Sequence, residues 1–346
     1  MVEKYAVKVP RKRAESLRRK LLSMGILDAE YKPIQRDEWI YFPIKTIEEK
    51  LDSMLAEYDA EIERVAFEPR PTKPRSLREA LENKIPRDLL GLIPSSYDLI
   101  GDLILIELSP ELERYSKVIG EALIQLNPRV KSVLAKGETV GAYRIRRTTV
   151  IAGSQDTETI HREHGCVYKL DLRKVFFNPR FSGERLRVAN GVKPGEEVLD
   201  MFAGIGPFSI LIAKKCPSCK ITAIELNPDA YNYLVQNIRL NKVEKQVTAI
   251  HGDAREVLRT KTRRFDRIIM DLPHSSIDFL DIGLDVCRDG GLIHFYIAAK
   301  SIQEISEEVK ERARELGHEV DVEFAREVLE IAPRRYTIVL DLRKKR

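Results

Sequence analysis

The sequence predicts an α/β fold: a C-terminal domain of alternating strands and helices, preceded by an α+β domain and a small N-terminal α/β domain. Between residues 196 and 271, apolar runs that each end in polar residues alternate with helix-like segments, which is typical of an open parallel sheet. A proline-spaced stretch at 67–78 favours an extended connector over packed structure and separates the first domain from the rest. The length of 346 residues also fits more than one domain.

Composition and charge exclude some classes of protein. Hydrophobic residues make up 43% of the chain and charged residues 33%, which excludes a disordered chain and predicts apolar cores under an ionic surface. The 59 Lys and Arg against 54 Asp and Glu give a net charge of +5, which is compatible with an anionic partner without requiring one. No apolar run approaches the roughly 20 residues of a membrane span, and the N-terminus lacks the apolar core of a signal peptide. We therefore expect a cytoplasmic protein.

The four cysteines are too few for a disulfide framework. Cys216 and Cys219 have the spacing of a redox motif or of half a zinc site, but no second pair or histidine cluster completes a tetrahedral site. We therefore expect no metal. The pair is interpreted as two reduced surface thiols at a helix end, with a disulfide of the kind found in thermophiles as the alternative.

Residues 1–66 predict a small α/β domain: a strand at 4–9, a helix at 13–25 and a second strand at 38–44. Basic side chains cluster at the start of the helix and form either a solvated face or a contact for an anionic partner. They are Arg11, Lys12, Arg13, Arg18, Arg19 and Lys20.

Residues 79–180 predict an α+β domain that becomes rich in strands from 97–108 onward. The stretch 129–147 holds six basic residues against one acid. On a strand, Arg144 and Arg146 share one face, because side chains alternate. Paired arginines suit phosphates or guanine edges, but a solvated edge strand protected by charge is an equal alternative.

Residues 181–346 predict the domain that binds a cofactor. A strand delivers Asp200 at its carboxyl end, and Gly204 and Gly206 then allow a tight turn into a helix. Ligands of open α/β sheets bind at this edge. The next strand ends in Glu225, about 20 residues after the glycines, where an acid can accept both hydroxyls of a ribose.

The glycine turn does not fit a dinucleotide site, because Ser209 stands where G-x-G-x-x-G requires a third glycine. The order Asp-x-Phe-x-Gly-x-Gly resembles that of class I S-adenosylmethionine-dependent methyltransferases, and it implies a Rossmann-like domain. Asp253, after the third strand, then corresponds to the residue that bonds the adenine amino group. The resemblance implies these cofactor-binding residues: Phe176, Arg185, Asp200, Phe202, Gly204, Gly206, Glu225, Leu226, Asp253, Ala254, Asp271 and Pro273.

The fourth strand ends in IIMDLPHSS, which places Asp271 and Pro273 beside the cofactor. An Asn or Asp followed by x-Pro occurs in methyltransferases that modify nucleobase nitrogens. There the side chain and the following carbonyl accept hydrogen bonds from the base, while proline fixes φ near −65° and gives up a donor. His274 and His294 have no partner that the sequence identifies, and we expect turn or packing roles for both.

Four segments together resemble the archaeal and eukaryotic tRNA (guanine-37 N1)-methyltransferases: LLGLIPSSYDLIGDLILIEL, GAYRIRR, FFNPRFSGERLR and VLDMFAGIGPFSI. The resemblance implies that Glu184 is the general base and that Arg144, or Arg146 instead, contacts the target guanine. It also implies tRNA as partner, bound at its anticodon loop and outer corner, and a monomer. Asp271 departs from the family, which usually has Asn there, and it places a second carboxylate near Glu184.

The implied chemistry is consistent. Guanine N1 carries a proton at neutral pH, which a carboxylate can accept, and an arginine at O6 stabilises the charge that develops there. N1 lies on the pairing edge, so the base must leave the stack, which suits a loop nucleotide. Two alternatives stay open: a bifunctional or wyosine-precursor-modifying enzyme at the same tRNA position, by methyl or aminocarboxypropyl transfer, and a non-catalytic tRNA-binding module.

Overall fold

The computed structural model describes residues 1–47, 51–70, 74–140, 145–259 and 264–345. The chain divides into two compact units, Met1–Arg75 and Ser76–Arg346. No helix within the described ranges is long and apolar enough to cross a membrane. A cytoplasmic location stays a prediction.

The first unit is an antiparallel sheet with two helices. Its strand order is β2-β3-β1-β4, and Leu17 and Leu21 of the first helix are fully buried against the sheet. The elements are β1 (Val2–Pro10), α1 (Ala14–Ser23), β2 (Ile34–Arg36), β3 (Trp39–Pro43), α2 (Leu51–Tyr58) and β4 (Glu61–Phe67).

The second unit begins with a four-stranded mixed sheet in the order β5-β6-β7-β8, followed by a hairpin of β9 and β10. The β-rich segment at 97–108 is two short antiparallel strands, because Gly101 adopts a φ of 58° and turns the chain between them. The elements are α3 (Leu77–Leu81), β5 (Asp98–Ile100), β6 (Leu103–Ile106), α4 (Ser116–Leu126), β7 (Ser132–Val140), β8 (Ile145–Gly153), β9 (Glu158–Glu163) and β10 (Cys166–Asp171).

The rest of the second unit is the predicted domain of alternating strands and helices. Its first helix follows a single 3₁₀ turn at Pro179–Phe181, and Glu184 lies in that helix's first turn, as predicted. The elements are α5 (Ser182–Gly191), β11 (Glu197–Asp200), α6 (Pro207–Lys215), β12 (Lys220–Glu225), α7 (Pro228–Asn241), β13 (Val247–His251), α8 (Ala254–Arg259), β14 (Phe265–Met270), α9 (Leu280–Val286), β15 (Cys287–Ala299), α10 (Ile302–Glu315), β16 (Val320–Ala332) and β17 (Arg335–Lys344).

The described part of this domain forms a seven-stranded sheet in the order β13-β12-β11-β14-β15-β17-β16. The first five strands are parallel, and β17 runs antiparallel between β15 and β16. The strand order reverses at β11, whose neighbours are β12 and β14. A crevice therefore opens at the carboxyl ends of these strands, which is the usual ligand site of open α/β sheets.

Burial explains why the strand before Asp271 is apolar. Ile268, Ile269 and Met270 are fully buried, because helices cover both faces of a parallel sheet. The Gly-Gly pair inside β15 lies at an irregularity in the pairing of this strand with β14. The partner of Phe265 is Cys287, whereas the partner of Arg267 is already Leu292.

The interpretation of Cys216 and Cys219 as reduced surface thiols is wrong. The two sulfurs form a disulfide, and both residues are buried. The disulfide closes the turn between α6 and β12. The described residues contain no cluster of three or more His, Cys, Asp or Glu side chains that could hold a metal ion.

Candidate active site

The glycine turn lies between β11 and α6. Gly204 and Gly206 have φ of 55° and 90°, a region that side chains disfavour. A Cβ on Gly206 would lie 2.5 Å from Cδ1 of Leu234, whereas a Cβ on Gly204 would meet nothing within 4 Å. Gly206 is therefore required by packing, and Gly204 faces open space where a ligand can approach.

Asp200 ends β11 and is buried. Its Oδ2 accepts a hydrogen bond of 2.6 Å from Oγ of Ser209, whereas its buried Oδ1 has no hydrogen-bond partner among the described residues. Burial raises the pKa of Asp200 to about 7, and the negative charge of Glu225 adds to the rise. The hydrogen bond from Ser209 opposes it. An acceptor without a donor in this position is suited to a cationic or N–H group of a ligand.

Glu225 ends β12 and joins it to the glycine turn. Its Oε2 accepts from the Gly204 N–H at 2.6 Å, and its Oε1 accepts from the Asn227 N–H at 2.7 Å. Burial raises the pKa of Glu225, and these backbone bonds oppose the rise. Each carboxylate oxygen has two acceptor sites, so the side chain can still accept the two hydroxyls of a ribose.

Apolar surface for a flat ring lies at two of the predicted positions. Phe176 and Leu226 are 57% and 43% exposed, so their apolar side chains are available to a ring of the cofactor. Oδ1 of Asp253 caps the start of α8 by accepting from the Arg255 N–H at 2.7 Å.

Two further predicted residues follow the carboxyl ends of β11 and β13. Ala254 is buried, and the ring of Phe202 packs edge-on against Phe279 at 5.0 Å. An unpaired acceptor, two acids and exposed apolar side chains fit the amino acid, ribose and adenine parts of S-adenosylmethionine.

Asp271 directly follows β14 and is half-buried. Burial raises the pKa of its carboxyl group to about 7; the charges of Asp200 and Glu184 add to the rise, and the charge of Arg185 opposes it. No described residue donates a hydrogen bond to its side chain in the structure. The side chain is therefore an available acceptor within electrostatic reach of two other carboxylates.

The turn after Asp271 is held rigidly. The Leu272 carbonyl accepts from the N–H groups of Ser275 and Ser276, at 2.9 and 2.8 Å, and the Pro273 carbonyl accepts from the Ala298 N–H at 2.7 Å. Because the Leu272 carbonyl already accepts two bonds, the side chain of Asp271 is the better acceptor for a base at this strand end.

Glu184 is buried at 1% exposure and has several donors. Arg187 donates to both carboxylate oxygens, with its shortest bond at 2.7 Å. The buried Tyr296 hydroxyl donates to Oε1 at 2.8 Å, and Arg326 donates to Oε2 at 2.5 Å. These donors come from α5, β15 and β16, so the tertiary fold assembles the environment of this carboxylate.

A chain of buried charges continues from Arg187 into the sheet. Arg187 also bonds both oxygens of Asp341, at 2.7 and 3.0 Å. Oδ1 of Asp341 lies 2.6 Å from Nδ1 of His294, whose Nε2 lies 2.8 Å from Arg267. Since a guanidinium can only donate, Nε2 of His294 accepts and Nδ1–H donates to Asp341. His294 is thus part of a structural charge network, which the sequence did not indicate.

The arginines predicted at the site differ in how much of them the structure describes. Arg185 is buried and makes a bidentate pair with Glu163, at 2.7 and 2.8 Å. Burial works against ionisation of Glu163, but the bonds from His161 and Arg185 lower its pKa to about 2. Arg144 lies outside the described residues. The backbone of Arg146 belongs to β8, but its side chain is not described.

Four residues around Glu184 were not predicted: Arg187, Tyr296, Arg326 and Asp341. The sequence could have indicated Arg187, because a basic residue three positions after an acid on a helix lies beside that acid. The other three come from strands more than 100 residues away in the sequence, and no local pattern identifies them.

Comparison with known proteins agrees with this geometry. Residues 159–323 match the TRM5/TYW2 methyltransferase domain, residues 77–157 the TYW2 N-terminal domain, and residues 6–52 the tRNA methyltransferase 5 N-terminal domain. The chain is 40% identical to the tRNA (guanine(37)-N(1))-methyltransferase Trm5b of Pyrococcus abyssi, over 98% of both chains.

Two further relatives are informative. The chain is 38% identical to the tRNA(Phe) (4-demethylwyosine(37)-C(7)) aminocarboxypropyltransferase of Pyrococcus horikoshii, over 78% of this chain and 96% of that one. The fold of this chain matches the solved complex of aTrm5 and tRNALeu with a TM-score of 0.79 and 35% identity, over 99% of both chains.

Proposed function

The chain belongs to the TRM5/TYW2 methyltransferase family, and on that premise we propose how it methylates N1 of guanosine 37 in tRNA with S-adenosylmethionine. Glu184 is the general base, Arg144 or Arg146 stabilises O6, and Asp271 accepts a hydrogen bond from the base. Asp200 and Glu225 hold the cofactor together with the glycine turn. When bound, the cofactor supplies the electrophilic methyl group.

The observation that carries the proposal is the grouping of carboxylates at the crevice. The charges of Glu184 and of Asp200, which lies at the cofactor turn, both reach the carboxyl group of Asp271. A target nitrogen that must lose a proton before it attacks requires a carboxylate close to the methyl donor. The grouping supports a reaction in which proton removal and methyl transfer take place at adjacent positions.

The arginine at O6 has a clear chemical reason. As the N1 proton leaves, negative charge develops on O6, and a guanidinium beside it stabilises that charge in the transition state. We assign this role to Arg144, with Arg146 as the alternative. The base reaches the pocket only after it leaves the stack, which a loop nucleotide does at a cost of a few kcal/mol.

The tRNA is held by more than the pocket. A relative has been solved in complex with tRNALeu, and residues 6–52 match a domain of tRNA methyltransferase 5. We propose that the anticodon loop enters the crevice and that the Met1–Arg75 unit contacts the outer corner of the tRNA. We propose further that the chain acts as a monomer in the cytoplasm.

A second candidate is modification of the wyosine precursor at the same position, because one relative is named as an aminocarboxypropyltransferase. The match to that relative covers 78% of this chain, whereas the match to the guanosine methyltransferase covers 98%. The match at residues 6–52 also favours the guanosine methyltransferase. A bifunctional methyltransferase is compatible with both.

The test uses labelled S-adenosylmethionine and tRNA transcripts that carry guanosine or adenosine at position 37, followed by nucleoside analysis. We expect label in N1-methylguanosine from the guanosine transcript only. Label in both transcripts, or in another nucleoside, contradicts the proposal. Cofactor labelled in the aminocarboxypropyl group distinguishes the second candidate, and tRNA that binds without any transfer identifies a non-catalytic module.

A further inference from the structure

Glu184 cannot accept a proton in the arrangement that the structure shows. Four donor hydrogens occupy its two oxygens: two from Arg187, whose Nε–H is shared between both oxygens, one from Tyr296 and one from Arg326. A carboxylate has about four acceptor sites in total, so none is left for the N–H of a nucleobase. At least one of the donors must leave before Glu184 can act as the base.

Arg187 and Tyr296 are not free to leave. Arg187 is bonded by both arms to Asp341, and its guanidinium lies 4.4 Å from the ring of Phe324. The pKa of Arg187 is raised, because the bonds to Asp341 and Glu184 outweigh the effect of burial. Tyr296 is fully buried in a central strand of the sheet.

Arg326 has the opposite character. Its side chain is 47% exposed, and within the described residues Glu184 is the only acceptor of its hydrogen bonds. It lies on β16, an edge strand whose pairing with β17 is irregular both between Val322 and Phe324 and between Glu327 and Leu329. Irregularities of this kind bend an edge strand and redirect its side chains.

We propose that Arg326 exchanges partners during the reaction: it pairs with Glu184 in the free enzyme and moves to a phosphate of the RNA when the target nucleotide enters. The inference rests on the proposed function of Glu184 and adds a residue that contacts the substrate. Phosphate is the anionic group that the substrate brings, and a guanidinium binds it by two parallel hydrogen bonds. The exchange frees an acceptor site on Glu184 only when RNA is present.

The exchange also changes the chemistry of the base. A cation next to a carboxylate competes with an incoming donor, so the departure of Arg326 leaves Glu184 with one positive neighbour fewer. The other charged or titratable groups that face Glu184 stay in place: Arg187 on α5, Tyr296 on β15 and Asp271 after β14. RNA binding therefore activates the base through the one donor that is able to move.

The experiment compares Arg326→Gln and Arg326→Lys with Arg343→Gln. Arg343 is the control, because it is an arginine of the neighbouring strand β17, is paired with Glu323 of β16 and is 37% exposed. Equilibrium binding of a guanosine-37 tRNA transcript is measured over a series of salt concentrations. We expect Arg326→Gln to lower the slope of log K against log salt by about 0.7, as for one lost phosphate contact on a single strand. Arg326→Lys keeps the slope, and so does Arg343→Gln.

The second readout is the pH dependence of kcat/KM, which reports the free enzyme. Arg326→Gln removes a cation from the site of the free enzyme, so we expect the rising limb of the profile to move to higher pH. The limb stays in place in Arg343→Gln.

Either of two results overturns the exchange: a wild-type salt slope in Arg326→Gln, or an unmoved pH limb in that variant. An equal loss of slope in Arg343→Gln also overturns it, because the effect would then reflect total charge. Failure of the proposed function gives a different result: the wild-type enzyme then forms no N1-methylguanosine, although its salt slope can still be measured.

Discussion

The two halves of the site are built in different ways. The cofactor half, formed by Asp200, Gly204, Gly206 and Glu225, depends on backbone turns and on residues close together in the sequence. In the base half, Glu184 accepts from Arg187, Tyr296 and Arg326, which come from separate elements. The cofactor half leaves the Oδ1 acceptor of Asp200 without a donor among the described residues, whereas every acceptor site of Glu184 in the base half is occupied. We infer that the cofactor half is ready to bind, whereas the base half must rearrange.

The strongest test of this comparison is Glu184→Gln. The amide cannot accept the N1 proton, so we expect kcat to fall by about 10²- to 10⁴-fold, the usual contribution of a general base. Equilibrium binding of S-adenosylmethionine should stay within about twofold, because the cofactor half is separate. A variant that keeps its turnover, or loses cofactor binding to the same degree, contradicts the division.

The matching test of the cofactor half is Asp200→Asn. We expect S-adenosylmethionine affinity to fall about 10- to 100-fold, as when one partner of a charged hydrogen bond is lost. With a pKa of about 7, the wild-type carboxyl group must lose its proton to bind a cation, so affinity should decline as pH falls below 7. Calorimetric titration at pH 6, 7 and 8 measures both effects, and the variant should show no such decline.

Asp271→Asn tests the second carboxylate of the base half. Because the pKa of Asp271 is raised to about 7 by burial and neighbouring charge, its ionised form becomes dominant only above that pH. We expect wild-type kcat/KM to gain a contribution of about 3- to 10-fold between pH 6 and 8, the size of one hydrogen bond. The variant should lose this gain and keep its cofactor affinity. An identical pH profile in the variant excludes Asp271 from the reaction.

The same comparison explains what the sequence could predict. The glycine turn, the acids at the strand ends and the position of Glu184 in the first turn of a helix follow from local rules, and the structure has all of them. Asp341 lies 154 residues after Arg187, and its contact depends on the register of β17 against β15. Local sequence patterns do not encode a register between distant strands. The state of Cys216 and Cys219 was predicted wrongly for another reason, because spacing alone does not report oxidation state.

The smallest expected effect concerns His294, which anchors the base half through Asp341. Burial lowers the pKa of His294 below its usual value of 6.5, and Arg267, donating to its Nε2, disfavours a second proton. The unfolded chain therefore binds more protons than the folded one just below pH 6.5. The stabilisation is complete above that pH and decreases as the pH falls toward the folded pKa, by at most about 1.4 kcal/mol per pH unit.

Other groups titrate in the same range, so the measurement has to be a difference. The raised pKa values of Asp200 and Asp271, about 7 for each, act in the opposite direction, because the folded state then holds the extra protons. Chemical denaturation from pH 5 to 8 should show a smaller loss of unfolding free energy on acidification in His294→Asn than in the wild type. His164→Asn is the control, since His164 is exposed and has a φ of 47°, which Asn tolerates. If all three proteins show the same pH dependence, the buried imidazole is not a neutral link between Asp341 and Arg267.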